Sequence, residues 1–155
     1  MENEIKFEFT GILKEAIEGG PYRALPERST KNSAGYDFYN PERVVIEPHT
    51  IKIVSTGIKA KFPSNLALKL YNRSSNPIKK GVMLANSVGI VDADYYNNSK
   101  NDGDIGFMFY NFTDIPAVFE AGDKLGQGIF EAYNTVTDEQ EINNERSGGF
   151  GSTGK

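Results

Sequence analysis

What most restricts the fold of this 155-residue chain is the shortness of its apolar runs, which are interrupted by proline, glycine or Gly-Asp before any helical period can establish itself. A helix needs an apolar stripe sustained over several turns, whereas a strand needs only a few alternating residues. Ile58-Lys59-Ala60-Lys61-Phe62 alternates strictly, and Leu66, Leu68 and Leu70 share one face of the segment ending at Tyr71. With Pro63-Ser64-Asn65 turning between them, the pair reads as a hairpin with one buried side. Val44 to Ile46, Ile51 to Val54, Val88 to Val91, Ile105 to Phe112, Ala117 to Phe119 and Leu125 to Phe130 add further short strands. Many short antiparallel strands predict an all-β chain closed as a barrel or jelly roll.

One short helix is expected at Asn76-Pro77-Ile78-Lys79-Lys80-Gly81, with Asn76 as N-cap, Pro77 at the first helical position and Gly81 as the stop. Arg73, Ser74 and Ser75 stand just before its N-terminus, where free N–H groups favour an anion; an ordinary capped turn with a solvated arginine is the competing reading. From Asn134 to Glu145 the sequence turns polar and acidic and loses apolar pattern, which reads as a linker. The expected organisation is one domain over 1–133, followed by a linker and C-terminal arm over 134–155.

Composition removes several function classes. A net charge of −4 and a pI near 5.1 argue against a nucleic-acid polymer as partner, although a single small anion needs only a local basic surface. The absence of cysteine leaves no thiolate metal site and suits a reducing cytoplasm, and the sole histidine, His49, falls in an expected exposed turn after Pro48. Met1 to Phe9 alternates charged and apolar residues, so neither a signal peptide nor a membrane span is expected there.

Two segments carry chemistry. The tail from Arg146 to Lys155 reads Arg-Ser-Gly-Gly-Phe-Gly-Ser-Thr-Gly-Lys. Its glycines let backbone N–H groups face phosphate oxygens, its hydroxyls and cations complete an anion shell, and Phe150 offers a face for a base. The linker is long enough to carry this tail to a neighbouring subunit. Asn86 to Tyr95 reads Asn-Ser-Val-Gly-Ile-Val-Asp-Ala-Asp-Tyr, where Asp92 and Asp94 point the same way if the strand stays extended. Such a pair suits either a metal site or a base with a second carboxylate holding the turn; a solvated strand end is the plain alternative.

Taken in order, Ala34-Gly35-Tyr36-Asp37-Phe38, Arg73-Ser74-Ser75, Gly89 to Tyr95, Gly122-Asp123-Lys124-Leu125-Gly126-Gln127 and Arg146 to Gly154 resemble the five motifs of the trimeric dUTP diphosphatases. The resemblance implies a jelly-roll subunit and a homotrimer whose active sites lie at subunit boundaries, each closed by a partner's arm. It implies hydrolysis of dUTP to dUMP and diphosphate with Mg2+, keeping uracil out of DNA and supplying dUMP for thymidylate synthesis. Asp92 matches the water-activating carboxylate, and Tyr95 the tyrosine that packs under the deoxyribose where a ribose 2′-hydroxyl would collide. Asn86, Gly89 and Val91 match the uracil-binding hairpin, and Arg73, Ser74, Ser75 and Gln127 the phosphate binders. Asp37 matches an acidic residue that organises waters around magnesium. On the arm, Phe150 matches the ring that stacks on uracil, with Arg146, Gly151, Ser152 and Thr153 around the phosphates. Asp94 is assigned to holding the hairpin.

Three departures accompany the resemblance. Tyr95 leads into a polar insertion, Tyr96 to Asp104, most like phage and Firmicute members; Arg146 stands one residue closer to Phe150 than in the commoner pattern; and Ser75 replaces a frequent glycine. Two further readings remain open: a dCTP deaminase of the same barrel type, and a nucleotide-dependent regulator that binds a protein partner through the 96–104 loop.

Overall fold

The structure, a computed structural model, describes residues 3–13 and 21–154. Eleven strands form, in chain order β1 (Lys6–Phe9), β2 (Tyr36–Tyr39), β3 (Val44–Ile46), β4 (Ile51–Ser55), β5 (Ile58–Lys61), β6 (Leu66–Asn72), β7 (Val82–Leu84), β8 (Gly89–Val91), β9 (Gly106–Asn111), β10 (Ala117–Phe119) and β11 (Lys124–Ala132). A single α-helical turn, α1 (Asn76–Lys79), and a 3-10 turn at Ala93–Tyr95 complete the described residues. The strands pair antiparallel into a four-stranded sheet β2-β11-β6-β8, a three-stranded sheet β4-β9-β7, and the pairs β1-β5 and β3-β10. This is the expected all-β, jelly-roll-like architecture with one short helix.

Alternation decided which side chains are buried but not which strands pair. Ile58, Ala60, Phe62, Leu68 and Leu70 all enter the core, and Leu66 N–H donates to Pro63 O across the expected turn at 3.1 Å. The expected hairpin does not form, however. β5 pairs with β1, in register Phe7 to Ala60, while β6 runs along β11 from Gly126–Asn72 to Ala132–Leu66 and takes β8 on its other edge. A β6 buried on both edges gains more ladder bonds than a two-stranded ribbon offers. β1, β2 and β7, of three or four residues each, are strands that the sequence reading did not name.

The helix is likewise displaced by one residue. Ser75 occupies the N-cap position and makes no side-chain cap bond, and Asn76 lies inside the turn at 1% exposure. Its amide is committed elsewhere, donating to Asn72 Oδ1 at 2.7 Å and to Leu125 O at 2.8 Å. Asn76 sits one residue inside the turn, past the position from which a side-chain oxygen caps, and its Nδ2 serves the cross-strand bond instead. The same bonds fix the loop that carries Arg73 to Ser75. Pro77 and Gly81, the latter at φ 66°, mark the start and stop as expected.

Sheet packing runs through aromatic rings. Phe38 of β2 meets Phe107 of β9 at 5.4 Å between centroids, Phe107 stacks on Phe109 at 6.1 Å, and Phe109 stacks on Phe119 of β10 at 5.1 Å. Gly126 gives Phe107 its room, since a Cβ there would stand 2.4 Å from Cε1. The loop ahead of β9 ends in a buried carboxyl, Asp104, which accepts from Ser55 Oγ at 2.5 Å and from Gly57 N–H at 2.8 Å.

Two stability outcomes follow from these buried polar groups. Asn76→Ala strands the Leu125 carbonyl and lowers the free energy of unfolding by about 1–3 kcal/mol, measured by urea titration. Burial pushes the Asp104 carboxyl from 3.8 up to about 6. The folded chain therefore holds this proton more tightly than the unfolded chain does, so the group's stabilisation is complete below about pH 4 and is lost as pH rises through 6. The loss is on the order of 3 kcal/mol. Melting midpoints from pH 4 to 7 should show wild type declining relative to Asp104→Asn across that interval.

Candidate active site

A pocket of about 270 Å3 opens where the chain crosses from one sheet to the other. β7 belongs to the three-stranded sheet and β8 to the four-stranded one, so the segment that the resemblance describes as a hairpin is here a turn crossing between sheets. Backbone bonds hold it, from Ser87 N–H to Leu84 O at 3.1 Å and from Val88 N–H to Asn86 O at 2.8 Å, with Ser87 in the left-handed region at φ 64°. Asn86, Gly89 and Val91 line the pocket from this side. Gly89 is required by close approach, because a Cβ there would lie 3.0 Å from that of Leu70. Gly106 and Met108 line it from the face of β9 opposite Phe107 and Phe109, and Ile105 reaches it from just before the strand.

Asp92 and Asp94 do not share an extended strand. The strand ends at Val91, and Tyr95 N–H donates to Asp92 O at 3.0 Å to close the 3-10 turn. The two carboxylates nevertheless converge on one cation: Arg146 Nη2 lies 2.6 Å from Asp92 Oδ2 and Arg146 Nε lies 2.7 Å from Asp94 Oδ1. Asp94 thus holds the tail, and the turn is held by its own backbone. The guanidinium is largely shielded, with its side chain 16% exposed, while the carboxylates are 53% and 63% exposed.

In the single chain the tail lies over its own barrel. Residues 132–145 are exposed and carry no strand or helix beyond Ala132, after which Gly148 is buried against Lys100 and Gly149 rests on the Tyr95 ring. A Cβ at Gly149 would stand 2.6 Å from Tyr95 Cε2, so only glycine fits. Phe150, at φ 51° and 56% exposed, stands at the pocket mouth in a conformation that costs a non-glycine residue about 1–2 kcal/mol. The Ser152 hydroxyl is buried without a partner. A buried hydroxyl without a partner is an open donor.

Tyr95 forms part of the pocket wall at 7% exposure. Its hydroxyl donates to Asp104 O at 2.6 Å and accepts from Asn101 Nδ2 at 2.8 Å, and burial pushes the phenol above its ordinary value, so it stays neutral. Asn101 and Asp104 belong to the insertion after Tyr95, which is a folded loop with Asn98 and Asp104 buried. The sequence reading assigned no site role to Asn98, Asn101 or Asp104. The available signal was the density of Asn, Asp and Gly, which favour side-chain-to-backbone turns.

Asp37, Arg73, Ser74, Ser75 and Gln127 do not line this pocket. They form a second group around β11, where Gln127 is flanked in register by Asp37 of β2 and Tyr71 of β6. The Gln127 amide packs on Gly35, whose Cβ would meet Oε1 at 2.2 Å, and reaches Asn72 O at 3.4 Å. Asp37 pairs with Lys124 at 3.0 Å. Among the described residues no three His, Cys, Asp or Glu side chains gather into a metal cage. His49 is an exposed turn residue at φ 56° paired with Asp114 at 2.7 Å, and no helix among the described residues is long and apolar enough to cross a membrane.

The dUTPase family profile matches residues 22–154. The chain is 47% identical over 131 residues to a deoxyuridine 5'-triphosphate nucleotidohydrolase of Lactococcus lactis, covering 84% of this chain and 87% of that one. It is 32% identical over 138 residues to the enzyme of the same name from Helicobacter pylori, covering 86% and 91%. The crystal structure of dUTPase from Streptococcus mutans superposes with a TM-score of 0.75 at 41% identity, covering 84% of this chain and 97% of that one. A family match across nearly the whole barrel and tail, with relatives this similar, means that the chain belongs to the dUTPase family.

Proposed function

We propose that the pocket between β8 and β9 binds the deoxyuridine part of dUTP and that the chain hydrolyses dUTP to dUMP and diphosphate. The observation that carries this reading is the exposed Asp92 carboxylate at the edge of a pocket walled by Tyr95 and overlain by a glycine-rich tail. Asn86, Gly89 and Val91 present backbone and amide groups to uracil, and Phe150 at the mouth stacks on the base. Asp92 takes the proton of a water as that water attacks the α-phosphorus in line. Arg146 draws the same carboxylate in the structure. When phosphate oxygens arrive they compete for the guanidinium, which moves onto them with the Ser152 and Thr153 hydroxyls and the Gly151 backbone and leaves Asp92 free to act as base.

Arg73, Ser74, Ser75 and Gln127 form the phosphate side of the site, contributed by a neighbouring copy in a homotrimer. Two observations favour assembly: these residues lie outside the pocket of their own chain, and the outer face of β4-β9-β7 exposes Ile51 at 60%, Ile53 at 46% and Met83 at 47%. In the single chain the arm reaches its own pocket; in the trimer the arm over 134–155 makes the same contacts with the equivalent pocket of a neighbour. Among the described residues there is no protein cage and the donors are oxygen-rich, which would suit Mg2+ arriving with the triphosphate, with Asp37 placed to orient its waters; the ion would neutralise charge on the phosphate oxygens. The activity supplies dUMP and removes dUTP in the cytoplasm.

Asp92→Asn should lower kcat for dUTP by about 10²–10⁴ while dUTP binding, followed by calorimetry, persists; turnover near wild type would remove Asp92 as base. Mixing Asp92→Asn subunits with subunits truncated after Glu145 should regain activity after subunit exchange. No recovery after demonstrated exchange would count against arm donation. Ammonia from dCTP in place of diphosphate from dUTP would overturn the reaction assignment.

A further inference from the structure

The insertion from Tyr96 to Asp104 hydrogen-bonds to the pocket-wall residue Tyr95, at its hydroxyl and at its backbone carbonyl. We propose that Asn101, seated by Asn98, is a positioning residue that immobilises the Tyr95 ring and thereby sets the discrimination between deoxyribose and ribose triphosphates. The inference rests on the reading that Tyr95 faces the sugar.

The loop is built to hold Asn101 in one place. Asn98 is 7% exposed and its side chain is fully used: Oδ1 accepts from Lys100 N–H and Asn101 N–H, both at 3.1 Å, while Nδ2 donates to Tyr95 O at 2.8 Å and Asn101 Oδ1 at 2.7 Å. Asn101 Oδ1 also accepts from Gly103 N–H at 3.1 Å, which leaves its amide nitrogen aimed at Tyr95 Oη at 2.8 Å. The far side of the loop is tied to the β1-β5 pair, through Lys59 Nζ to Asn97 Oδ1 at 2.5 Å and to Asp102 Oδ1 at 3.0 Å, and through Tyr96 Oη to Glu8 Oε2 at 2.5 Å. The network therefore extends from a paired strand to a single phenol oxygen.

Stiffness is what rejection of a hydroxyl requires. A yielding apolar pocket discriminates against one added hydroxyl only by roughly 10²-fold, because the wall moves aside. Two hydrogen bonds at Oη, accepted from Asn101 and donated to the Asp104 carbonyl, restrain that movement at one end of the ring. At its edge the ring meets the Gly149 backbone. Without Asn101 the phenol keeps one anchor and the ring regains freedom to tilt away from a 2′-hydroxyl.

The test measures kcat/KM for dUTP and UTP in Asn101→Ala, Tyr95→Phe, the double variant and Tyr95→Ala. Loss of a fold-supporting contact lowers the active fraction for both substrates alike and cancels in their ratio; loss of positioning does not. Asn101→Ala should lower the dUTP to UTP ratio by about tenfold, Tyr95→Phe, which removes both bonds at Oη, should lower it at least as far, and the double variant should fall no further than Tyr95→Phe alone. If Asn101→Ala does not fold, Asn101→Ser, which keeps a hydroxyl near Gly103 but cannot reach Oη, takes its place. An unchanged ratio in the Asn101 variants, or additive losses in the double variant, overturns the proposal while a collapsed ratio in Tyr95→Ala leaves the sugar-facing reading standing. An unchanged ratio in Tyr95→Ala overturns both.

Discussion

The run of rings Phe38, Phe107, Phe109 and Phe119 is the contact on which the rest of the structure depends, because it joins three of the four sheets through one continuous apolar line. Each ring is essentially inaccessible to solvent, and each aromatic pair adds about 0.5–1.5 kcal/mol beyond the area it buries. Alternation along β9 then has a direct consequence. With Phe107 and Phe109 turned inward, Gly106 and Met108 must turn toward the pocket, so core packing and pocket lining are two faces of one strand.

Glycines make this economy possible at few positions. Gly126 admits the Phe107 ring, Gly89 admits β6, and Gly149 admits the Tyr95 ring. All three fall in the motifs by which the chain resembles its family, yet each is explained by contact between protein groups. Gly126 and Gly89 therefore act first on the shape of the barrel, and only through it on the ligand. The polar site groups sit around that frame, with Arg146 bridging Asp92 and Asp94 and the insertion clamping Tyr95.

Much of this was legible in the residues. Short alternating runs give an all-β fold because burial follows a period of two, and Asn86, Gly89, Val91, Asp92, Tyr95, Arg146 and Phe150 do gather at one pocket. Strand partners were not legible, since alternation fixes a buried face and says nothing of which edge is met; hence β5 joined β1 instead of β6. Asn76 does not cap because the turn starts one residue earlier, at Ser75, which leaves its Nδ2 for a buried cross-strand bond that spacing does not show. The Tyr96–Asp104 segment looked like a polar extension, and only tertiary placement shows that Asn98 and Asn101 spend their polarity on each other and on Tyr95. Nor could spacing reveal that Arg146 meets the two aspartates.

The chemistry that these parts support is the aiming of one water at one phosphorus. Hydrolysis in water enriched in oxygen-18, with the products resolved by mass spectrometry, tests that aim without altering the protein. Attack at the α-phosphorus places the heavy oxygen in dUMP and leaves diphosphate unlabelled. Label in diphosphate, with dUMP unlabelled, would mean that the water strikes elsewhere and would contradict the account.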